Sequence, residues 1–404
     1  MAAPPTDQMP PPTARRRAIL VLCFAIAMTE GYDLQAAAVG ATQLRAELSI
    51  APAMLGWIFS AGTFGLLIGA ALGGRLSDRF GRKPALLVSV LIFGLLSVTA
   101  GFVQSAEQLL ACRLAIGIGL GGTLPNLIAI AAETSPPEKR ARAVAVVIAG
   151  LSVGGALVSL LGLATAAPGG WRILFLVGGG APLLCCLPLL GLGVGAAAAT
   201  ADARPATAGI ATILFAGRRL LGTLLLWSAS FLVLISVYLL ANWLPTLLVE
   251  RGLDRSGALW VQVAFNLAGV LGGAASGWLL DRPALRTPGI LFLYAVYLGS
   301  LFILARTAPD FTFLLLAGAA VGAATTGVSA VQYAFAPALY PAEGRGTGVG
   351  MAVSVGRLGS IAGPLIAGML MGAGYAGADV LIAMLPVTAL AALAAMALSR
   401  RIPA

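Results

Sequence analysis

The stretch Gly74-Arg75-Leu76-Ser77-Asp78-Arg79 decides the fold, because its pattern returns as Gly277-Trp278-Leu279-Leu280-Asp281-Arg282, 203 residues further along a chain of 404. The same offset carries Arg142 onto Arg345, and both lie in polar breaks between apolar runs. The alternative is a chance recurrence or simple loop punctuation, which the shared offset of the phrase and of Arg142 disfavours. The repeat therefore predicts a membrane protein built from two related bundles with matching loops.

The composition also points to the membrane class. Hydrophobic residues make up 59% of the chain, charged residues make up 10%, and the mean hydropathy is +0.97. Soluble domains carry far less apolar sequence. About 20 apolar residues are needed to cross a bilayer core of about 30 Å. Twelve runs of sufficient length are present, at 18–40, 52–76, 84–103, 107–132, 143–166, 171–195, 219–244, 257–280, 288–306, 309–336, 346–371 and 377–399.

We therefore predict an all-α membrane protein with twelve transmembrane helices in two pseudo-symmetric six-helix bundles. Arg15–Arg17 before an apolar run is a pattern that secretory signals also show. The run is longer than a signal sequence needs and contains Glu30 and Asp33, so we interpret it as a retained first helix. The predicted units are a cytoplasmic tail at 1–17, a bundle at 18–195, a cytoplasmic linker at 196–217 and a second bundle at 218–404.

The net charge of +10 is a signal of topology, not of nucleic-acid binding. Cytoplasmic loops of membrane proteins carry an excess of Lys and Arg. With a cytoplasmic N-terminus, 18 of the 25 Lys and Arg fall on cytoplasmic segments. The external segments carry Arg45, Arg172, Arg251, Arg255 and Arg306. The sequence thus predicts a multi-pass protein of a bacterial-type inner membrane with both termini in the cytoplasm, embedded in lipid and without a nucleic-acid partner.

The residue types that membrane enzymes need are scarce. The chain has no histidine, which excludes imidazole proton relays and histidine metal sites. Asp, Glu and Cys are not clustered at metal-ligand spacing in the apolar runs, so we expect no metal and no cofactor. Cys23, Cys112, Cys185 and Cys186 all lie inside apolar runs and are predicted to be free thiols. Transport is favoured over catalysis, with a membrane-embedded enzyme as the alternative.

Four ionisable residues lie deep in the predicted spans: Glu30, Asp33, Arg113 and Arg357. Each charge costs about 2.5–3.5 kcal/mol at a helix centre, so each is a candidate functional residue. Arginine stays charged and binds carboxylates, whereas a carboxylic acid in a low-dielectric pocket can take up and release a proton. This combination predicts an anion:proton symporter, in which Arg357 and Arg113 anchor the anion and Glu30 and Asp33 carry protons. In the alternative, Asp33 and Arg113 form a permanent ion pair and Arg357 is only structural.

Aromatic and amide side chains in other spans are candidates to complete a pocket. Ring ligands stack on aromatic side chains, and their hydroxyl groups bond to amides. Each of these residues also has an alternative role in helix packing or at the membrane interface. They are Trp57, Asn126, Asn242, Trp243, Phe265, Asn266, Gln332 and Tyr333.

The repeated loop phrase has a predicted role in gating. Asp78 with Arg79 and Arg82 can form a charge cluster that closes the cytoplasmic side during alternating access. The second copy supplies Asp281 and Arg282, but Pro283 follows them directly, so a symmetric second latch is not expected. A solvated basic loop is the alternative, and it leaves Asp78 unexplained.

These motifs together resemble the major facilitator superfamily over essentially the whole chain. The resemblance is carried by Gly74–Lys83, its echo at 277–282, Arg113 with Gly117 and Gly119, and Tyr340-Pro341 followed by Arg345–Gly348. Glu30-Gly31-Tyr32-Asp33 and Gly356-Arg357-Leu358-Gly359 resemble its aromatic acid:proton symporters. Residues 30–37, 56–62 and 124–129 are most similar to carriers of 3-(3-hydroxyphenyl)propionate.

The resemblance implies a twelve-helix inner-membrane carrier that takes up small aromatic carboxylates, such as 3-(3-hydroxyphenyl)propionate or hydroxybenzoate, with protons and acts as a monomer. It implies coupling roles for Glu30 and Asp33, binding roles for Arg113 and Arg357, and a gate at Asp78 and Arg82. The alternative within the same fold is a proton-coupled exporter of drugs or metabolites. Exporters usually carry a Gly-Pro phrase in the fifth helix, and this chain has Gly154-Gly155 with no proline there.

Overall fold

The computed structural model describes residues 13–191, 210–217, 219–280, 282–341 and 344–401. Twelve helices in these ranges are long and apolar enough to cross a membrane. In chain order they are α1 Thr13–Val39, α2 Pro52–Phe80, α3 Arg82–Ala100, α4 Ala106–Thr134, α5 Arg140–Ala164, α6 Gly170–Gly191, α7 Arg219–Glu250, α8 Arg255–Leu280, α9 Pro283–Arg306, α10 Phe311–Leu339, α11 Arg345–Gly372 and α12 Gly377–Ser399.

The twelve predicted spans are confirmed, with shifts of several residues at their ends. The helix α1 begins at Thr13, so Arg15–Arg17, predicted to lie in the tail, belong to the first helix. The helix α7 runs to Glu250, six residues beyond the predicted end of that span. Residues 1–12 and 192–209 lie outside the described residues, and the second range contains 196–209 of the predicted linker. The end of that linker forms a short helix, Ile210–Phe215.

Helix contacts repeat between the two bundles. In the first bundle, α1 packs on α5, α2 on α4 and α3 on α6, and in the second, α7 packs on α11, α8 on α10 and α9 on α12. The bundles meet where α2 contacts α11 and where α8 contacts α5. When each helix is replaced by its equivalent in the other bundle, six helices away in the chain, the α2–α11 contact becomes the α8–α5 contact. The pseudo-symmetry predicted from the repeat is therefore present in the packing.

Glycines bring the paired helices close together. A Cβ atom on Gly69 of α2 would lie 2.0 Å from the carbonyl oxygen of Ile118 in α4. A Cβ atom on Gly272 of α8, 203 residues later, would lie 2.1 Å from the carbonyl oxygen of Ala323 in α10. Small residues allow such backbone contact between membrane helices, where packing rather than water drives association. The repeat thus preserves the glycines that set the helix spacing.

The two bundles are joined mainly near one face of the molecule. We call the face with the first residue of α1 and the last residue of α12 the terminal face, and the opposite one the distal face. Towards the distal face, Ser60 Oγ donates to the carbonyl oxygen of Ile361 at 2.8 Å, and Arg45 pairs with Glu250 at 3.2 Å. On the terminal side, a Cβ atom on Gly74 or Gly277 would contact nothing within 4 Å. The distal face is the closed one in this arrangement.

Two glycines test the importance of backbone contact. A Cβ atom on Gly154 of α5 would lie 1.9 Å from the carbonyl oxygen of Met28, whereas one on Gly180 of α6 has open space. We predict that Gly154→Ala lowers the stability by about 1–3 kcal/mol, because α1 and α5 must separate. Gly180→Ala should leave it unchanged or raise it by up to about 1 kcal/mol, because alanine is the better helix former.

Thermal unfolding of both variants in the same detergent measures the difference. Equal effects of the two substitutions would contradict the role of backbone contact at the α1–α5 interface.

Candidate functional site

Two of the four predicted charges, Asp33 and Arg113, form a fully buried ion pair. Asp33 of α1 is 0% exposed and Arg113 of α4 is 1% exposed. Arg113 Nη1 donates to Asp33 Oδ1 at 2.8 Å and to the Asp33 carbonyl oxygen at 3.1 Å. Ser97 Oγ of α3 donates to the other carboxylate oxygen. Both oxygens of Asp33 are therefore occupied, and the geometry is that of the ion pair left open as an alternative by the sequence.

The helix packing makes room for the Arg113 side chain. A Cβ atom on Gly62 of α2 would lie 2.9 Å from Arg113 Nη2. The same Nη2 atom makes one long hydrogen bond, 3.5 Å, to the carbonyl oxygen of Leu34, and Nε is buried without a partner. Arg113 thus keeps donor capacity beyond its bond to Asp33.

The other two predicted charges, Glu30 and Arg357, are not bonded to each other. Glu30 is 2% exposed, and its Oε2 atom has no hydrogen-bond partner among the described residues. Arg357 of α11 lies within electrostatic range of Glu30 and donates from Nη1 to the Tyr238 hydroxyl of α7 at 3.2 Å. Arg357 is only half-buried. This region therefore combines an unpaired carboxylate with a guanidinium that holds a single hydrogen bond.

A cavity of about 180 Å³ lies between the bundles. The sequence-predicted residues Arg113 and Asn266 line it, as do Asn242 and Phe265. Gly31, beside Glu30, and Tyr238, which binds Arg357, belong to the same wall. Phe59 of α2 and aliphatic side chains such as Leu34 and Val237 also line the cavity. The cavity combines apolar walls with a small number of charged and amide groups, as ligand sites commonly do.

Three predicted binding residues lie elsewhere. Asn126 is buried and donates to the carbonyl oxygen of Gly122 in its own helix at 2.8 Å. Gln332 and Tyr333 line a second cavity of about 20 Å³ towards the terminal face, and Tyr333 is 52% exposed. Gln332 Nε2 donates to the Tyr294 hydroxyl at 3.3 Å. The second cavity has room for about one water molecule.

Several polar residues of the site were not among the predicted ones. Gln35, Tyr238 and Thr63 line the central cavity, and Ser97 binds the carboxylate of Asp33. Gln35 is a polar residue in an apolar run, two positions after Asp33, and this position could have marked it as a candidate site residue. Ser97 gave no such signal, because serine bonded to its own helix is common in membrane spans.

The predicted gating residues that the structure describes on the terminal face do not form the predicted charge cluster in this arrangement. Asp78 is exposed and forms no ion pair among the described residues. Arg82 instead pairs with Glu133 of α4 at 2.5 Å. Arg79 lies over the Phe80 ring at 5.2 Å and Arg282 lies over the Trp278 ring at 4.0 Å. The predicted residue Asp281 lies outside the described residues.

Comparison with known proteins places the chain in a family. The Major Facilitator Superfamily model matches residues 19–309 and 226–404. The chain belongs to the major facilitator superfamily. The resemblance seen in the motifs is thereby confirmed, and as a member of this superfamily the protein is a transporter and not an enzyme.

Relatives in the superfamily include transporters of aromatic acids. The chain is 41% identical to the 3-(3-hydroxy-phenyl)propionate transporter of Escherichia coli (strain K12), over 94% of this chain and 93% of that protein. It is 34% identical to the Gallate transporter of Pseudomonas putida, over 93% of this chain and 89% of that protein. A crystal structure of a D-xylose-proton symporter superposes with a TM-score of 0.77 at 17% identity, covering 96% of this chain and 98% of that chain, which shows the shared fold.

The buried ion pair gives a prediction about stability. Asp33→Asn leaves the guanidinium of Arg113 buried without its counter-charge, which costs about 3–5 kcal/mol. We expect a large fall in the melting temperature in detergent. Glu250→Gln is the matched control, because it breaks the partly exposed pair with Arg45, which is worth about 0–1 kcal/mol.

The double variant Asp33→Asn/Arg113→Met should recover part of the loss, because it removes both charges. If Asp33→Asn unfolds at the same temperature as Glu250→Gln, the pair does not stabilise the first bundle.

Proposed function

We propose that this transporter imports small aromatic carboxylates together with protons, as a monomer, by alternating access. The observation that carries the proposal is the pairing, beside one cavity, of an unbonded buried carboxylate, Glu30, with a guanidinium, Arg357, that holds a single hydrogen bond. The relatives support the substrate class, since they include transporters of 3-(3-hydroxy-phenyl)propionate, gallate and 4-hydroxybenzoate.

Arg357 is the proposed anchor for the substrate carboxylate. Its guanidinium is half-buried and uses one hydrogen bond, to Tyr238, so further N–H groups can bind an anion. Arginine binds carboxylates through two parallel hydrogen bonds, which fixes both position and orientation. Arg113, held by Asp33, adds positive potential in the cavity wall. The aromatic ring of the substrate then lies against Phe59 and Phe265.

Glu30 is the proposed proton carrier. Arg357 attracts the Glu30 carboxylate, and it attracts the substrate carboxylate equally. Two carboxylates close to one guanidinium repel each other, so a bound substrate anion favours the protonated form of Glu30. Binding of the anion and binding of the proton are thereby linked. Asp33 is a weaker candidate for this role, because Arg113 and Ser97 occupy both of its oxygens.

The membrane orientation follows from charge. The terminal face carries Arg15–Arg17, Arg79, Arg82 and Arg345, so the positive-inside rule places it in the cytoplasm. The closed distal face is then external, and the described arrangement opens to the cytoplasm. Asp78, exposed here, is free to join Arg79 and Arg82 in a latch when the terminal face closes.

Uptake into liposomes tests the proposal. With labelled 3-(3-hydroxyphenyl)propionate, an inward proton gradient should drive accumulation, and a protonophore should abolish it. A proton-coupled exporter, the alternative, would be driven by the opposite gradient. Absence of uptake by folded protein under either gradient would refute transport of this substrate.

The two central residues have distinct expected phenotypes. Glu30→Gln should lose accumulation driven by the proton gradient and keep exchange of labelled for unlabelled substrate, because the anchor remains intact. Arg357→Gln should weaken binding about 10–100-fold, because hydrogen bonds to the substrate charge are lost. Glu138→Gln on the terminal-face loop is the control, since Glu138 is exposed outside the spans. Gradient-driven accumulation by Glu30→Gln at the wild-type level would exclude Glu30 as the carrier.

Alternating access predicts that locking the distal face stops transport. A Cβ atom on Gly372 of α11 would lie 3.1 Å from the Cβ of Ala53 in α2, close to the spacing of about 3.5–4.5 Å in disulfides. The double variant Ala53→Cys/Gly372→Cys should lose at least about 90% of its uptake on oxidation and regain it with a reductant. Each single variant is the control, and full uptake by the oxidised pair would contradict movement at this contact.

A further inference from the structure

Three amide side chains form a hydrogen-bonded cluster between the bundles. Gln35 Nε2 of α1 donates to Asn266 Oδ1 of α8 at 2.9 Å, and Asn266 Nδ2 donates back to Gln35 Oε1 at 3.0 Å. Gln262 Nε2 of α8 donates to the same Gln35 oxygen at 2.7 Å. All three side chains are buried. We call Gln35, Gln262 and Asn266 the amide cluster.

The surrounding helices leave space for this cluster. A Cβ atom on Gly155 of α5 would lie 2.3 Å from Gln35 Nε2 and 2.6 Å from Asn266 Oδ1. The contact between the bundles is therefore built around polar groups at this point, although an apolar contact would cost less in a membrane. Buried polar groups at this cost are candidates for function.

The cluster keeps one free donor as well as free acceptors: Gln35 Nε2 donates only to Asn266, so its second N–H is unused. Both N–H bonds of the Asn266 amide are used, one by Gln35 and one by the Gln262 carbonyl oxygen. Both N–H bonds of the Gln262 amide are used too, by Gln35 and by the Ala241 carbonyl oxygen. Gln262 Oε1 is buried without a partner, and Asn266 Oδ1 has one lone pair unused. A hydroxyl group, which both donates and accepts a hydrogen bond, fits such a cluster.

The cluster also belongs to the central cavity. Gln35 and Asn266 line it, together with Arg113 and the rings of Phe59 and Phe265. The same cavity therefore offers an aromatic acid a guanidinium, apolar walls and amide groups. A hydroxyl group on the aromatic ring can donate to Asn266 Oδ1 and accept from the unused N–H of Gln35.

We propose that the amide cluster recognises the ring hydroxyl of the substrate and makes the transporter selective for hydroxylated aromatic acids over unsubstituted ones. This inference rests on the proposed function, since it specifies which members of that substrate class bind well. A neutral hydrogen bond in a buried site changes affinity by about tenfold. An unsubstituted ring places an apolar edge against the amide oxygens and does not gain this hydrogen bond.

Binding of two ligands to purified protein tests the inference. The probes are labelled 3-(3-hydroxyphenyl)propionate and 3-phenylpropionate, which differ only in the hydroxyl group. The wild-type protein should bind the hydroxylated ligand about tenfold more tightly. Gln35→Met, which keeps the side-chain length, should reduce that ratio to about one by weakening the hydroxylated ligand alone. Gln332→Met, an amide replacement in the second cavity, should keep the wild-type ratio.

The outcomes separate this inference from the proposed function. Wild-type protein that binds neither acid refutes the proposed function itself. Wild-type protein that binds both acids equally, or a Gln35→Met variant that keeps the tenfold preference, overturns the role of the amide cluster alone. If Gln35→Met fails to fold, as judged by gel filtration and thermal unfolding, Asn266→Ser takes its place, and a retained preference there overturns the inference equally.

Discussion

A charge inside a membrane span must be compensated by neighbouring atoms, and the first bundle is organised around one such charge. A guanidinium is charged at any working pH, and the lipid core offers no water to solvate it. The structure supplies Asp33 as a counter-charge to Arg113, Ser97 as a donor to that carboxylate, and the missing side chain of Gly62 as space. Helices α1, α2, α3 and α4 meet at this point, so the ion pair fixes their relative positions.

Glu30 and Arg357, in contrast, have few hydrogen-bond partners. Glu30 lies one helical turn from Asp33, yet its Oε2 atom has no partner, and Arg357 holds a single hydrogen bond. Both carboxylate oxygens of Asp33 have donors, whereas a site for a substrate and a proton must leave a carboxylate oxygen without one. The difference between the two pairs thus separates the structural role from the proposed transport role. Four similar charges in the sequence therefore have two different bonding environments.

The two related bundles carry different charged and polar residues at equivalent positions. By the repeat offset, Val233 is the residue of the second bundle equivalent to Glu30, and Ser236 is the one equivalent to Asp33. Ser236 is buried within hydrogen-bond distance of the Thr388 hydroxyl, 3.4 Å away, so the second bundle has a neutral polar contact where the first has an ion pair. The second bundle contributes instead Arg357 and the amides of Gln262 and Asn266. Each bundle therefore supplies part of the cavity, and closure of the distal face brings the parts together.

The sequence by itself determined the twelve spans, the repeat, the family and the four buried charges. Span length and apolar content are local properties that the bilayer thickness fixes, and a charge in an apolar run is visible without any neighbour. Only the tertiary structure decided that Asp33 is bonded at both oxygens, that Glu30 is not, and that Gln332 lies outside the central cavity. Whether a buried polar atom has a partner depends on atoms from helices far apart in the chain. Sequence spacing within one helix carries no information about those atoms, so the division between bonded and unbonded buried charges required the packed bundles.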